Sequence, residues 1–173
     1  LILDGNRSDC AWDGLLDPSQ LPQVFRSDYV ANSNNNYEWP NPNARLSGFS
    51  PALGGEGETL SLRANLGLDM IERRLDGGDG LGAPGFTAEL AEAVFLQERN
   101  RAAELLVDAI VQDCTSAPWG EHEGETVDLA EVCSALASWD RRNSVDSQGA
   151  LVFAGLWKAI DDPERMFAVA ASA

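Results

Sequence analysis

The sequence predicts a mostly helical α+β chain, in which an irregular arm with one short strand (residues 1–57) precedes a helical part (residues 58–173). Two observations carry this prediction. Glycines and prolines follow one another too closely in the arm for a long helix. From Glu58 onward, apolar residues recur at the i, i+3, i+4 spacing of amphipathic helices. The 173 residues are enough for one ordinary domain with a hydrophobic core.

The arm contains one candidate strand, Val24–Ala31, whose β-branched and aromatic residues favour extended backbone. It runs into the polar block Asn32–Asn36. Amide side chains at the end of a strand could project into a site. Asparagine also bonds to its own backbone and tolerates the left-handed conformation, so a simple turn is the alternative.

The helical part is predicted to begin with a helix that ends near Leu75, at the glycine-rich loop Asp76–Gly80. This loop lacks the closing Glu of a calcium-binding loop, so we interpret it as a helix stop. Thr87 is predicted to cap a long second helix that ends near Cys114, with Glu98–Arg101 as its solvated middle.

Thr126 is predicted to cap a third helix, and Leu151–Ile160 to form a fourth. Cys114 and Cys133 could meet across an antiparallel helix pair, either as a disulfide or as two buried free thiols. Cys10 remains single in both cases. Three cysteines without CxxC spacing and one histidine do not make the usual zinc site, so neither a metal nor a cofactor is predicted.

Charge argues against two classes of partner. The chain has 28 acidic and 12 basic side chains and a net charge of -16, which repels phosphate backbones and anionic lipid headgroups. Neither nucleic acid nor a membrane is therefore predicted as a partner, and no apolar run reaches the length of about 18 residues that a transmembrane helix needs. His122 lies between glutamates in a polar loop and is predicted to be solvated.

Three further features carry a resemblance to a known family. They are the block Asn32–Pro42, the segment Leu46–Pro51, and Arg63 at the start of an amphipathic helix. Together with Leu3–Trp12 and Trp139–Arg142, they resemble the penicillin acylase family of N-terminal nucleophile hydrolases, in the branch of acyl-homoserine lactone and aculeacin-type acylases. The likeness extends over nearly the whole chain.

This resemblance implies a four-layer αββα sandwich and an amidohydrolase that acts on acyl-homoserine lactones, penicillins or lipopeptide side chains. A Ser at the start of the catalytic chain attacks the amide carbonyl, and its own α-amine is the base. The family pattern assigns Asn34 to the oxyanion hole, with Asn32 as the alternative in a register shifted by two. It assigns Arg63 a place beside the oxyanion Asn and the substrate, whereas the residue pattern alone suggests an ordinary surface ion pair.

The resemblance also indicates what must come from elsewhere. Leu1 is not a Ser, Thr or Cys, so we expect the nucleophile outside this sequence and interpret both chain ends as cuts. The chain is then an internal fragment of a catalytic β subunit, with the remaining segments of the acylase α and β subunits and a small N-acyl substrate as partners. The family implies a bacterial periplasmic or secreted location.

Some members of the family bind calcium through an Asp between the oxyanion Asn and the Arg, and residues 29–68 contain no Asp, so no metal is carried over. The alternative to an enzyme fragment is a non-catalytic helical structural or interaction module derived from the same family.

Overall fold

The computed structural model describes residues 5–11 and 14–160, so the two chain ends interpreted as cuts lie outside the described residues. The chain divides into two units, residues 1–58 and 59–173. The described ranges have an α+β composition, with five α-helices and one two-stranded sheet. None of the helices found there is long and apolar enough to cross a bilayer.

The first unit consists of turns and short 3₁₀ segments. The strand predicted over Val24–Ala31 is wrong, because these residues join no sheet within the described part of the unit, and Phe25 is 93% exposed. Strand propensity reflects packing against a neighbouring strand, and this segment has none there. The Ala31 N–H instead donates to the Pro40 carbonyl (2.8 Å), which closes a loop around the asparagine block.

The second unit begins with helix α1, Leu62–Asp76, which confirms the predicted first helix and its stop. The helix begins after Ser61 because the Ser61 hydroxyl accepts a hydrogen bond from the Ala64 N–H (3.2 Å). It ends because Gly77 adopts a left-handed φ of 81°, a conformation that glycine reaches without steric penalty.

A buried arginine ties the loop after α1 to the helix. Arg74 has a side-chain exposure of 0% and forms an ion pair with Asp79 (3.0 Å), which is 4% exposed. The Arg74 guanidinium also donates to the carbonyl oxygens of Gly82 (3.2 Å) and Ala83. The loop is therefore held from inside by charge-assisted hydrogen bonds.

The predicted long second helix is two helices, α2 (Ala88–Phe95) and α3 (Arg101–Ser116). Thr87 caps α2 as expected, because its Oγ1 accepts a hydrogen bond from the Leu90 N–H (3.2 Å). The prediction of Thr87 as a helix cap is therefore confirmed, and the predicted length of the helix is wrong.

The break between α2 and α3 follows from the local backbone. Glu98 has a left-handed φ of 50°, which no α-helix tolerates in its interior. Asn100 then caps α3, with its Oδ1 accepting from the Ala103 N–H (3.1 Å). The interpretation of Glu98–Arg101 as a solvated helix middle is wrong, since the Arg99 side chain is only 8% exposed.

A β-hairpin stands where the third helix was predicted to start. Strands β1 (Trp119–His122) and β2 (Glu125–Asp128) pair antiparallel. The two residues that connect them, Glu123 and Gly124, have φ values of 52° and 84°, as a tight hairpin turn requires. Thr126 lies opposite Glu121 in this ladder, so its assignment as a helix cap is wrong.

Helix α4 spans Ala130–Ser138 and helix α5 spans Ala150–Ala159, which confirms the predicted fourth helix. Cys114 at the end of α3 and Cys133 in α4 form a disulfide, with their Cα atoms 5.6 Å apart. Of the two outcomes expected from the sequence, the structure therefore shows the disulfide.

The core of the second unit lies where α3, α4 and α5 meet. Gly149 precedes α5 and lies directly against Trp139, so that a Cβ placed on Gly149 would overlap the first side-chain carbons of that tryptophan. The buried residues of this core are Ala102, Ala103, Val107, Leu136, Trp139 and Phe153.

Candidate functional site

The asparagine block forms a tight turn in the first unit. Asn34 is exposed and has a left-handed φ of 62°, and its N–H donates to Asn32 Oδ1 (2.9 Å). The Asn32 Nδ2 donates to the Asn35 carbonyl (3.1 Å), so both ends of the Asn32 amide bond to the turn. Among residues with a side chain, asparagine is one of the few that often adopt this backbone. The turn alternative thus describes the backbone correctly.

Asn35 and Asn36 fasten this turn. The Ser33 N–H donates to Asn35 Oδ1 (2.9 Å), and the Asn36 Nδ2 donates to the Gly55 carbonyl (2.6 Å). Side-chain to backbone bonds of this kind fix a local conformation without a ladder or a helix. The left-handed position of Asn34 is therefore held by its neighbours on both sides.

A buried carboxylate anchors the chain just after the turn. Glu38 is 3% exposed, and it accepts a hydrogen bond from the Gly57 N–H (2.8 Å). It also pairs with the Arg45 guanidinium, which lies 3.8 Å from the centroid of the Trp39 ring. A buried carboxylate needs such partners, because its desolvation is otherwise unfavourable.

A cavity of about 320 Å³ lies beside the block. Tyr37 on its wall donates its hydroxyl proton to Glu56 (2.6 Å). This hydrogen bond raises the pKa of Tyr37 to about 12 and lowers the pKa of Glu56. The residues that line the cavity are Val30, Ala31, Asn32, Asn36, Tyr37 and Pro40.

Arg63 lies in the second unit, where it is the second residue of α1 and is exposed. It borders a separate cavity of about 440 Å³ that belongs wholly to this unit. The apolar residues of its lining are Leu62, Leu66, Ala102, Phe153, Ala154 and Trp157, and the polar ones are Arg63, Arg99, Asn100, Arg101 and Asn143.

An ion cluster joins α1 to α3 at this cavity. Arg99 pairs with Asp69 (2.5 Å) and with Glu104 (2.5 Å). Arg101 pairs with Glu104 (3.0 Å), and its Nε donates to Asn65 Oδ1 (2.7 Å). The cluster fixes the face of α1 that carries Asn65 and Asp69 against the start of α3.

The electrostatics of this cluster favour its charged form. Burial acts to raise the pKa of Glu104, but hydrogen bonds from Arg99 and Arg101 outweigh burial and lower the pKa below its ordinary value of 4.5. The stability that this carboxylate contributes is therefore complete above about pH 4.5 and is lost as the pH falls through the lowered pKa.

Sequence reasoning did not find the pairing of Asn100 with Asn143, whose side chains meet at this cavity (3.2 Å). The two residues lie 43 positions apart, and no local pattern connects them. Phe153 and Trp157 lie within the predicted fourth helix, and their i, i+4 spacing was the available signal. His122 is exposed at the end of β1. Across the described residues, no group of three or more His, Cys, Asp or Glu side chains is arranged to hold a metal ion.

Comparison with known proteins identifies the family of the chain, and the relatives that it finds are named acylases. The penicillin amidase family matches residues 1–167, and the chain belongs to this family. It is 43% identical over 161 residues to Aculeacin-A acylase of Actinoplanes utahensis, a match covering 88% of this chain and 20% of that protein.

Two further relatives carry the name acyl-homoserine lactone acylase PvdQ. The chain is 31% identical over 180 residues to the protein of Pseudomonas fluorescens (strain Pf0-1), covering 98% of this chain and 21% of the relative. It is 29% identical over 183 residues to that of Pseudomonas savastanoi pv. phaseolicola, covering 95% and 22%. The chain thus spans about a fifth of the length of the curated relatives it matches.

Proposed function

We propose that this chain is part of an amidohydrolase that cleaves the amide bond of N-acylated substrates through an N-terminal Ser located outside the chain. Membership of the penicillin amidase family supports amide hydrolysis. The names of the relatives support an acyl-homoserine lactone or aculeacin A as substrate. The chain is then an internal fragment of a catalytic β subunit with the four-layer αββα fold, completed by the remaining segments of the α and β subunits.

The backbone conformation of Asn34 is the observation that supports the proposed oxyanion site. Attack of the Ser hydroxyl on the amide carbonyl places negative charge on the carbonyl oxygen, and a fixed neutral donor stabilises that charge without reorganising. Asn34 is exposed and left-handed within a turn that Asn32, Asn35 and Asn36 hold. The family pattern assigns the oxyanion donor to Asn34, and Asn32, whose amide bonds to the turn at both ends, is the alternative.

In this mechanism, Arg63 supports the oxyanion Asn and contacts the substrate. Its guanidinium is permanently charged and carries five N–H donors, which suits contact with an amide oxygen and with the substrate. Its position in the first turn of α1 gives it a rigid backbone, because Ser61 caps that helix.

The disulfide supports a location outside the cytosol. Bonds between cysteines persist in oxidising compartments and are rare in the bacterial cytosol. The Cys114–Cys133 bond therefore supports a periplasmic or secreted protein.

The test is hydrolysis by the complete polypeptide, exported and purified, with an acyl-homoserine lactone and an acylated cyclic peptide as substrates. We expect release of the free acid from at least one of them, measured by liquid chromatography. Intact mass under denaturing conditions should show separate chains, the larger beginning with Ser. A fully processed protein that hydrolyses no N-acyl amide would support the non-catalytic module instead.

A further inference from the structure

We propose that residues 15–30 of the first unit are a docking segment, which packs its apolar side chains on the part of the acylase polypeptide that lies outside this sequence. This inference rests on the proposed function, in which that remaining polypeptide carries the nucleophile. The large apolar side chains of the docking segment point into solvent, since Leu15 is 100% exposed, Phe25 is 93% exposed and Val30 is 60% exposed. Leu16 and Leu21 are exposed as well.

The first unit has no apolar core in its described part. Across residues 5–11 and 14–58, the buried residues are Glu38 and Asn41, and both are polar. Scattered exposed apolar side chains are ordinary in a protein that buries others, but this unit fully buries none there. Because burial of apolar surface is the dominant favourable contribution to folding, the unit needs apolar surface from another part of the molecule.

Polar contacts fix the end of the docking segment without covering it. The buried Asn41 donates its Nδ2 proton to the Tyr29 carbonyl (3.2 Å). The Ala31 N–H donates to the Pro40 carbonyl (2.8 Å). Val30 lies between these two anchors, on the wall of the 320 Å³ cavity, and its side chain remains exposed. The backbone thus holds Val30 in a defined place while its apolar side chain is available for contact.

The proposed chemistry indicates what covers this segment. Asn34 lies in the loop that the bond between Ala31 and Pro40 closes, and Val30 directly precedes that loop. For Asn34 to stabilise the oxyanion, the nucleophilic Ser must reach the same substrate carbonyl. The polypeptide that holds this Ser must therefore approach the loop next to Val30. The match covers 20% to 22% of the three relatives, so most of the length of such a polypeptide lies outside this sequence.

Charge disfavours a second copy of the chain as the partner. The net charge of -16 makes two copies repel one another. The docking segment itself contains two acidic residues and one basic residue, and Arg26 pairs with Asp28 (2.5 Å). Little net charge therefore opposes burial of its apolar side chains against a different surface.

The first test is hydroxyl-radical footprinting of the wild-type complete enzyme, which measures how accessible each aromatic side chain is to solvent. We expect Phe25 to be oxidised about tenfold less in the native enzyme than in the unfolded chain, because docking buries its ring. Phe153, which belongs to the core of the second unit, is the reference for a buried ring. Equal oxidation of Phe25 in the native and unfolded enzyme would overturn the inference.

The second test identifies the partner by photo-cross-linking from Phe25→p-benzoylphenylalanine in the complete enzyme. We expect mass spectrometry to find cross-links to peptides outside this sequence. Gln20→p-benzoylphenylalanine is the matched control, because Gln20 is an exposed polar residue of the same segment. Equal yields from the two positions would contradict the role of the apolar side chains. Footprinting uses the wild-type enzyme, so it tests the inference even where the photoreactive variant does not fold.

The remaining outcomes separate this inference from the proposed function. Cross-links from position 25 to residues 59–173, or between two copies, would overturn the assignment of the partner, and a species of twice the expected mass would identify the second case. Hydrolysis of an N-acyl amide by the same preparation tests the proposed function separately, because neither readout requires turnover. Cross-links to outside peptides in a processed but inactive enzyme would support the docking segment and contradict the proposed function.

Discussion

At the scale of single residues, Asn34 meets two requirements at once. The turn demands a left-handed backbone at this position, and the proposed chemistry demands a neutral side-chain donor. Glycine and aspartate satisfy the backbone without the donor, whereas alanine adds a conformational penalty of about 1 kcal/mol. Asn34→Gly and Asn34→Asp are therefore cleaner tests of the amide than Asn34→Ala.

We predict that Asn34→Gly in the complete enzyme lowers kcat by about 10² to 10³, since one oxyanion donor contributes roughly 2.7 to 4 kcal/mol. Asn34→Asp should be at least as harmful, because a carboxylate places negative charge where negative charge develops. The measurement is steady-state kinetics, and the thermal midpoint checks that each variant is folded.

The neighbouring asparagines are the controls for a role in the turn alone. Asn35→Ala and Asn36→Ala should mainly lower the free energy of unfolding, with a smaller effect on kcat, because their amides hold the backbone of the turn. Near-normal kcat for Asn34→Gly with a large loss for Asn32→Ala would move the oxyanion donor to Asn32. Near-normal kcat for both would remove the block from the active site.

The sequence was informative about these residues in unequal ways. The resemblance identified Asn34, Asn32 and Arg63 as site candidates, and the amide-rich composition allowed the turn. The contact between Asn100 and Asn143 gave no signal, because the two residues lie 43 positions apart in the chain. Contacts between segments distant in sequence are set by tertiary packing, which local patterns do not encode.

At the scale of elements, capping residues predicted where helices begin and end more reliably than the apolar pattern predicted how long they are. Ser61 and Gly77 delimit α1, and Thr87 begins α2, as their residue types favour. Apolar residues resume at Ala102 and Leu105 after the polar stretch Gln97–Arg101, so the two helices were merged into one across that stretch. The hairpin was missed because its turn is Glu123-Gly124 instead of the usual Asn-Gly or Asp-Gly.

The loop after α1 provides a matched pair of adjacent arginines. Arg74→Met should destabilise the protein by about 3 to 5 kcal/mol, because it leaves the Asp79 carboxylate buried without its partner. Arg73→Met is the control, since Arg73 is exposed, and it should change stability by less than about 0.5 kcal/mol. Denaturant unfolding of the complete protein measures both, and equal effects would contradict the internal role of Arg74.

The disulfide between α3 and α4 closes a loop across 19 positions of sequence. Replacing both Cys114 and Cys133 by Ser should reduce the free energy of unfolding by about 3 kcal/mol, because the unfolded chain regains that freedom. Cys10→Ser is the control and should have a small effect. Titration of the denatured, unreduced protein should find one thiol among these three cysteines, and three thiols would show that the bond is absent.

At the scale of the whole molecule, the proposal that the nucleophile lies outside this chain has a direct test. We predict that the isolated 173-residue chain hydrolyses no N-acyl amide, because the proposed nucleophile lies outside it. Acid release from an acyl-homoserine lactone by the purified chain would contradict this prediction, and the complete polypeptide under the same conditions is the positive control.

The close approach of Gly149 to Trp139 has a consequence for the evolution of the family. A Cβ at position 149 would overlap the Trp139 Cβ, an atom that every residue except glycine carries, so a smaller side chain at position 139 would not relieve the overlap. Position 149 is therefore expected to stay glycine among related chains, whatever residue stands at position 139. Aligned family sequences in which larger residues are common at position 149 would show that this helix junction packs differently among relatives.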